Sequence, residues 1–291
     1  GLARAINEQL LPGTEVFIAE MGTYGKGEIA ELCRWIPPDV AAMVAIGPVH
    51  LERFRTEERI VEAKSEILDR ADTGVIAIDH PLLAALAEER SANLDVVTAS
   101  TGADASVRVL AGKVYIDGRD VGEVAPEVFE INLGVAVAIG LALGGDADAL
   151  AGRLDDLPRP EHRQSISKGE GGFVIIDDTY NSNPGGAIAA LSKLQKEGKN
   201  GRKVVVTPGM VELGPRQREE NASLSAQAAS IADDLLIVGA TNRAALLEGS
   251  AHGPASVTVV GSREEAVLWV RSHLGPGDAV LYENDLPDHY P

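Results

Sequence analysis

The sequence predicts an α/β protein whose first domain has a mostly parallel sheet and whose second, smaller domain is Rossmann-like. Short apolar runs alternate with longer amphipathic stretches along the chain, as strands and crossover helices do in such sheets. The stretch 157–160, Leu-Pro-Arg-Pro, then interrupts the pattern. We therefore expect two domains, at residues 1–157 and 158–291.

The first domain combines buried strands, helices and one hairpin. Its predicted parallel strands are the apolar runs 16–19, 40–46 and 75–78. Its predicted helices cover residues 29–35, 57–71 and 132–143. The alternating stretch 107–120 is typical of an antiparallel hairpin.

The second domain contains five apolar runs separated by helical patterns. These predicted strands lie at residues 173–176, 203–206, 234–238, 256–260 and 279–281. Strands that alternate with helices in this way predict a doubly wound sheet.

Composition excludes several classes of function. The net charge of −18 repels phosphate backbones, so we expect no nucleic-acid partner. The longest apolar stretch, 135–143, is far shorter than the roughly 20 residues of a membrane-spanning helix, so we expect no membrane insertion. Cys33 is the only cysteine, which excludes an internal disulfide and favours a cytoplasmic protein.

Polar residues directly after apolar runs mark the predicted ligand-binding edges of the sheets. Glu20 follows the run 16–19, His50 follows 40–46, and Asp178 ends the run that begins at residue 173. A helix cap or a turn explains each of these residues when it is taken alone. Their recurrence at strand ends favours a binding role.

Lys64 lies near the middle of the apolar stripe of the predicted helix 57–71. An ammonium group buried there is costly without a partner. One explanation is that the side chain extends along the stripe to solvent. The other is a functional lysine, whose neutral amine can react with CO2 to form a carbamate that binds metal.

The sequence contains no phosphate loop of the Walker A type. The string Gly-Thr-Tyr-Gly-Lys-Gly at 22–27 lacks the spacing G-x-x-x-x-G-K-[ST], because residue 20 is Glu and residue 27 is Gly. Gly112-Lys113 is followed by Val114 and fails as well.

Several motifs in this order and spacing resemble those of the Mur ligases, across nearly the whole chain. They are Glu-Met-Gly at 20–22, Gly-Glu-Ile at 27–29, Ile-Gly-Pro-Val-His-Leu at 46–51, Ala-Lys-Ser-Glu-Ile at 63–67 and Asp-Asp-Thr-Tyr-Asn-Ser-Asn-Pro at 177–184. The branch that adds D-alanyl-D-alanine to a UDP-muramoyl tripeptide is the most similar. The last motif is the most specific of the five.

The resemblance implies a metal site and a nucleotide site. Residues matching the family's Mg²⁺ site are Glu20, His50 and Lys64, the last at the position of a lysine that is carbamylated in several members. Residues matching its ATP site are Asn132 at the adenine, Arg163 at the phosphates, Asp178 near the ribose and phosphates, and Asn181 and Asn183 in the same loop. A histidine usual four residues before the adenine-contacting Asn is replaced here by Val128.

The implied reaction is an ATP-dependent ligation. A carboxylate of a UDP-muramoyl peptide attacks the γ-phosphate of ATP, and an amino acid or dipeptide then displaces phosphate from the acyl phosphate. Charge develops on the transferring phosphoryl group, so Mg²⁺, Lys64, His50 and Arg163 are the expected catalytic groups. The oligomeric state cannot be read from these motifs.

The chain departs from the family pattern in three places. An N-terminal domain and a phosphate loop would precede Gly1, so we expect the chain to be part of a longer protein and inactive alone. Gly209 stands where an Asp is common, and residues 282–287 replace a Lys-Gly-Ser-Arg element that helps to receive the amine substrate. That substrate is therefore open.

Two other functions compete with the ligase. One is a non-catalytic nucleotide-binding or regulatory module that kept the scaffold and lost the phosphate loop. The other is a related ligase of the folylpolyglutamate type, against which the motif at 177–184 argues.

Overall fold

A computed structural model describes residues 2–8, 10–47, 51–125, 128–157, 165–180 and 182–286. The chain forms two compact units. One comprises Gly1–Ile46 with Glu58–Asp155, and the other comprises Gly47–Glu57 with Asp156–Pro291.

The first unit is built on a six-stranded sheet in the order β1-β2-β3-β4-β5-β6. The strands are β1 (Val40–Met43), β2 (Thr73–Ala77), β3 (Asp95–Ser100), β4 (Val107–Leu110), β5 (Lys113–Ile116) and β6 (Arg119–Glu123). Strands β1 to β4 are parallel, and β4, β5 and β6 are antiparallel. The predicted mostly parallel α/β sheet and its hairpin are confirmed.

Helices α5 and α6 cover opposite faces of this sheet. The helices of the unit are α1 (Leu2–Glu8), α2 (Glu28–Trp35), α4 (Glu57–Lys64), α5 (Pro81–Arg90), α6 (Glu130–Ala142) and α7 (Ala147–Ala151). On one face, the core joins Met43 and Ile76 of the strands to Leu83 of α5. On the other, α6 approaches so closely at Gly134 that a Cβ there would lie 3.5 Å from the Cβ of Ala99.

The predicted strand at residues 16–19 is wrong. The segment pairs with no strand in the described part of the chain, and Val16 and Ile18 are 57% and 87% exposed. A short apolar run becomes a strand only where a neighbour offers ladder hydrogen bonds and a second layer covers its side chains. Here it has neither.

Two other elements of this unit differ from the sequence predictions. The helix predicted over 57–71 is α-helical only to Lys64 and continues as a 3-10 helix at Ser65–Arg70. Strand β3 was not predicted from the sequence, because its apolar run is short and its buried end consists of the small residues Ala99 and Ser100.

The second unit contains a six-stranded sheet in the order β11-β10-β9-β12-β8-β7. The strands are β7 (Ser165–Lys168), β8 (Val174–Asp178), β9 (Lys203–Thr207), β10 (Asp234–Val238), β11 (Ser256–Val260) and β12 (Ala279–Glu283). All five predicted strands are present and parallel to one another. Strand β7, antiparallel at the edge and mostly exposed, had no apolar run to reveal it.

The helices of the second unit divide between the faces of its sheet. They are α3 (Leu51–Phe54), α8 (Pro184–Glu197), α9 (Gln217–Ile231), α10 (Arg243–Ser250) and α11 (Arg263–His273). Helices α8, α9 and α10 form one core with the strands, and α11 forms the other. In the described residues of either unit, no helix is long and apolar enough to cross a membrane.

Candidate functional site

Lys64 is the last residue of α4, and its side chain is half-buried, as the helical pattern indicates. Burial lowers the pKa of its ammonium group, and the carboxylate of Glu20 opposes this shift. In the described part of the chain, Lys64 has no hydrogen-bond or ion-pair partner. The amine therefore loses its proton more readily than an ordinary lysine.

The structure brings together two of the three residues predicted to bind metal. Glu20 is exposed in the segment before α2, near enough to act electrostatically on Lys64. The third, His50, lies outside the described residues. Within the described residues, no group of three or more His, Cys, Asp and Glu side chains could hold a metal ion.

The chemistry of Glu20 and Lys64 still fits Mg²⁺. A neutral Lys64 amine can add CO2 to give a carbamate and a released proton, which would add carboxylate-like oxygens within electrostatic range of Glu20. Oxygen ligands are those that Mg²⁺ prefers. The lowered pKa of Lys64 favours the neutral amine that this reaction needs.

Glu66 organises the segment next to Lys64 and was not singled out in the sequence. Its Oε1 accepts a hydrogen bond from the Gly27 amide at 2.7 Å, and its Oε2 accepts one from the Ala30 amide at 3.0 Å. Gly27 is the N-cap of α2, with φ of 97° and no capping side chain of its own. Glu66 therefore caps α2 from the 3-10 helix, a pairing that no local pattern reveals.

The predicted adenine contact, Asn132, is exposed in the first turn of α6. Its position leaves the side chain accessible to a ligand. Arg163, predicted to reach the phosphates, lies outside the described residues.

In the motif at 177–184, Asp177 and Asp178 end β8 and Pro184 begins α8. Asp177 Oδ1 accepts hydrogen bonds from the Thr179 amide at 3.2 Å and from its hydroxyl at 2.6 Å. Asn183 is the N-cap of α8 and accepts a hydrogen bond from the Gly186 amide at 3.0 Å. Asn181 lies outside the described residues. The motif thus shapes a tight turn at the carboxyl end of a strand.

Asp178 lies beside a second carboxyl group that sequence reasoning missed. It pairs in register with Glu283 across β8 and β12. Glu283 is fully buried, and its Oε1 accepts a hydrogen bond from the Ser182 hydroxyl. Burial raises the pKa of Glu283 to about 8; the Ser182 hydroxyl opposes this, and the charge of Asp178 adds to it. Glu283 is therefore mostly neutral at pH 7.

Three buried asparagines hold the loop after β9. Asn221 Oδ1 accepts a hydrogen bond from the Met210 amide at 2.7 Å. Asn242 Nδ2 donates one to the Pro208 carbonyl at 3.0 Å. Asn284 Nδ2 donates one to the Gly209 carbonyl at 2.7 Å. Gly209 has a φ of 79°. The loop conformation is thus set by contacts from α9, from the N-cap of α10 and from the end of β12.

A small cavity opens at the carboxyl ends of the second sheet, with a volume of about 160 Å³. Its lining combines apolar side chains, such as Val206 and Val238, with Asn284 and an ion pair between Arg263 and Asp285. Ligands of open α/β sheets bind at this edge. A cavity with both charge signs at its wall suits a small zwitterion.

Two α/β units built on largely parallel sheets, the second with polar groups at the carboxyl ends of its strands, define the class of α/β ligand-binding proteins. The profile of the Mur ligase middle domain matches residues 1–139, and that of the Mur ligase glutamate ligase domain matches residues 162–282. The chain therefore belongs to the Mur ligase family.

Curated relatives carry one recurring name. The chain is 28% identical to the UDP-N-acetylmuramoyl-tripeptide–D-alanyl-D-alanine ligase of Mycobacterium tuberculosis strain H37Rv, over 92% of this chain and 59% of the relative. The protein of that name from Bacillus subtilis is 30% identical, over 69% of this chain and 46% of the relative. The chain thus spans no more than about three-fifths of the length of these two relatives.

Solved structures share the fold. MurF from Acinetobacter baumannii superimposes with a TM-score of 0.75 at 24% identity, covering 91% of this chain and 61% of that one. MurF ligase from Thermotoga maritima, in complex with ADP, gives a TM-score of 0.73 at 22% identity, covering 98% and 67%. Both support the α/β architecture of the two units.

Proposed function

We propose that this chain is part of an ATP-dependent amide-bond-forming ligase of peptidoglycan precursor synthesis, acting in the cytoplasm. Its substrates are a UDP-muramoyl peptide, whose carboxylate is activated, and an amino acid or dipeptide such as D-alanyl-D-alanine, which supplies the amine. The observation that carries the proposal is the match to both ligase domains, with the motif at 177–184 folded as a loop at a strand end.

Two of the proposed metal-binding groups, Glu20 and Lys64, belong to the first unit. Glu20 and a carbamate on Lys64, with His50, would hold Mg²⁺, which would supply positive charge against the transferring phosphoryl group. Glu66 keeps α2 in place beside them by capping it. Asn132 contributes the contact to adenine.

The second unit supplies the remaining groups for both substrates. Arg163 stabilises charge on the phosphates, and Asp178, in the loop shaped by Asn181 and Asn183, contacts the nucleotide. The cavity beside Arg263 and Asp285 receives the amine substrate, because it can pair with an ammonium and a carboxylate together. Its small volume suits an amino acid or a short dipeptide.

A phosphate-release assay tests the ligase directly. The protein translated from its complete reading frame should release phosphate from ATP only when UDP-muramoyl tripeptide and D-alanyl-D-alanine are both present. The 291-residue chain alone should be at least about 100-fold slower, since it contains no lysine-bearing phosphate loop. A complete protein that binds nucleotide without turnover points instead to the regulatory module. Turnover with folates and glutamate points to the folylpolyglutamate type.

The role of Lys64 is tested by two substitutions in the complete protein. Lys64→Met removes the amine, and Lys64→Arg keeps a positive charge but forms no carbamate. We expect both to lower kcat by about 10–100-fold, the usual range for a group that supports a metal site. Wild-type activity should also fall in CO2-depleted buffer and recover with bicarbonate. Full activity in Lys64→Arg would show that charge, not a carbamate, is what the site needs.

A further inference from the structure

The last residues of β12 connect two loops that are far apart in sequence. Asn284 donates its amide to the Asp178 carbonyl at 3.0 Å, and its Oδ1 accepts a hydrogen bond from the Ser182 amide at 3.3 Å. Its Nδ2 donates to the Gly209 carbonyl at 2.7 Å. One residue thus contacts both the loop that follows β8 and the loop that follows β9.

Asn284 reaches these partners from an unusual backbone conformation. Its φ is 67°, in the left-handed region that asparagine tolerates better than most residues other than glycine. The side chain is 9% exposed, with its amide oxygen and nitrogen both used. Glycine would fit this backbone equally well, but it could make neither side-chain contact.

Glu283 adds a second connection to the same loop. Its Oε1 accepts the Ser182 hydroxyl, and Asp178 acts on the carboxyl group both through its charge and through a side-chain hydrogen bond. At this level of the sheet, the polar side chains on the same face are Asp178 on β8 and Thr207 on β9, beside Ser182. Asp178 is the charged group among them.

The cavity lies at the same strand end. Tyr282, Asn284 and Asp285 line it, so Asn284 contacts the cavity and both loops at once. A ligand that moves the chain at Asn284 therefore acts on hydrogen bonds to Asp178 and Ser182.

We propose that Glu283 and Asn284 are positioning residues that couple occupancy of the cavity to the positions of Asp178 and Ser182 in the loop that follows β8. The coupling rests on the proposed function, in which this loop contacts the nucleotide and the cavity receives the amine. Binding at the cavity fixes Asn284, which holds Ser182 and the Asp178 backbone in the geometry that favours nucleotide. By linkage, nucleotide favours the amine substrate to the same degree.

The coupling should depend on pH through Glu283. At neutral pH its carboxyl group is mostly protonated, because burial raises its pKa to about 8. Above that pH a second negative charge forms beside Asp178 and repels it. The loop should then be held less well, and the coupling should weaken.

Binding of ADP to the complete protein, measured by calorimetry with and without saturating D-alanyl-D-alanine, tests the proposal. In the wild type we expect the dipeptide to strengthen ADP binding about five-fold or more, the usual lower range of coupling between sites. Asn284→Gly and Ser182→Ala should bring this ratio close to one. Glu283→Gln should keep it, because the amide oxygen still accepts from Ser182, and should extend it beyond pH 8.

Ser225→Ala is the matched control. Its buried hydroxyl donates to the Leu246 carbonyl at 2.6 Å, so the variant loses one buried hydrogen bond between α9 and α10 without touching either loop. It should keep the wild-type ratio. The coupling is contradicted if Asn284→Gly keeps the wild-type ratio of ADP affinities, or if a wild type that turns over shows no coupling. Neither result would count against the proposed function. Failure to bind ADP or to turn over counts against the proposed function.

Discussion

Replacement of Gly209 by alanine is expected to lower the free energy of unfolding by about 3–5 kcal/mol, the sum of overpacking and backbone strain. A Cβ at this position would lie 2.3 Å from Asn221 Oδ1 and 2.9 Å from the Cβ of Asn242. Both asparagines are buried in hydrogen bonds to the same loop, so neither can move without losing them. Urea unfolding of the chain measures the loss.

Gly277→Ala is the matched control for Gly209→Ala. Gly277 lies in the same unit with a φ of 95°, and a Cβ there meets nothing within 4 Å. It isolates the cost of the backbone conformation, about 1–2 kcal/mol. Equal losses for the two variants would mean that the asparagines yield and that the loop is not clamped.

The packing around Gly209 concerns a position at which this chain departs from the family pattern. Where an Asp is common in the family, this chain has a glycine whose Cβ position is already occupied by Asn221 and Asn242. A Gly209→Asp substitution would therefore cause the same steric clash and would also bury a negative charge. In this chain the two asparagines that pack against residue 209 therefore require a glycine there.

Glu283→Gln is expected to stabilise the protein at pH 8 by about 2–4 kcal/mol and to leave it unchanged near pH 4. The pKa of Glu283 is about 8 in the folded chain against an ordinary value of 4.5. Between these values the unfolded chain has released the proton that the folded chain keeps. The free energy of unfolding of the wild type therefore falls as pH rises from about 5 to 8.

Urea unfolding at several pH values tests this prediction. The wild-type slope in that window should be at most about 1.4 kcal/mol per pH unit from this group, and Glu283→Gln should remove it. Glu219→Gln, at an exposed position in the first turn of α9, should leave the slope as it is. A Glu283→Gln variant that is less stable than the wild type at pH 8 would mean that Glu283 is ionised and paired in the folded state.

Local sequence patterns predicted most of the second sheet. Its five parallel strands are compact apolar runs, and β9, β10 and β12 are buried on both faces, so each run is visible without knowledge of its neighbours. The run at 16–19 has the same apolar pattern but forms no strand, because strand formation also requires a neighbouring strand to pair with. Strands β3 and β7 were missed for the opposite reason, since pairing makes them strands despite their weak patterns.

The candidate site divides in the same way. The sequence by itself determined the family, the placement of Asp178 at a strand end and the unusual burial of Lys64, since each depends on neighbouring residues or helical periodicity. Only the tertiary structure decided that Glu66 caps α2, that Glu283 lies neutral beside Asp178 and that Asn284 joins two loops. Those contacts link residues 36 to 105 positions apart in the sequence. The order of the strands and the burial of the side chains bring them together, and no local pattern encodes either.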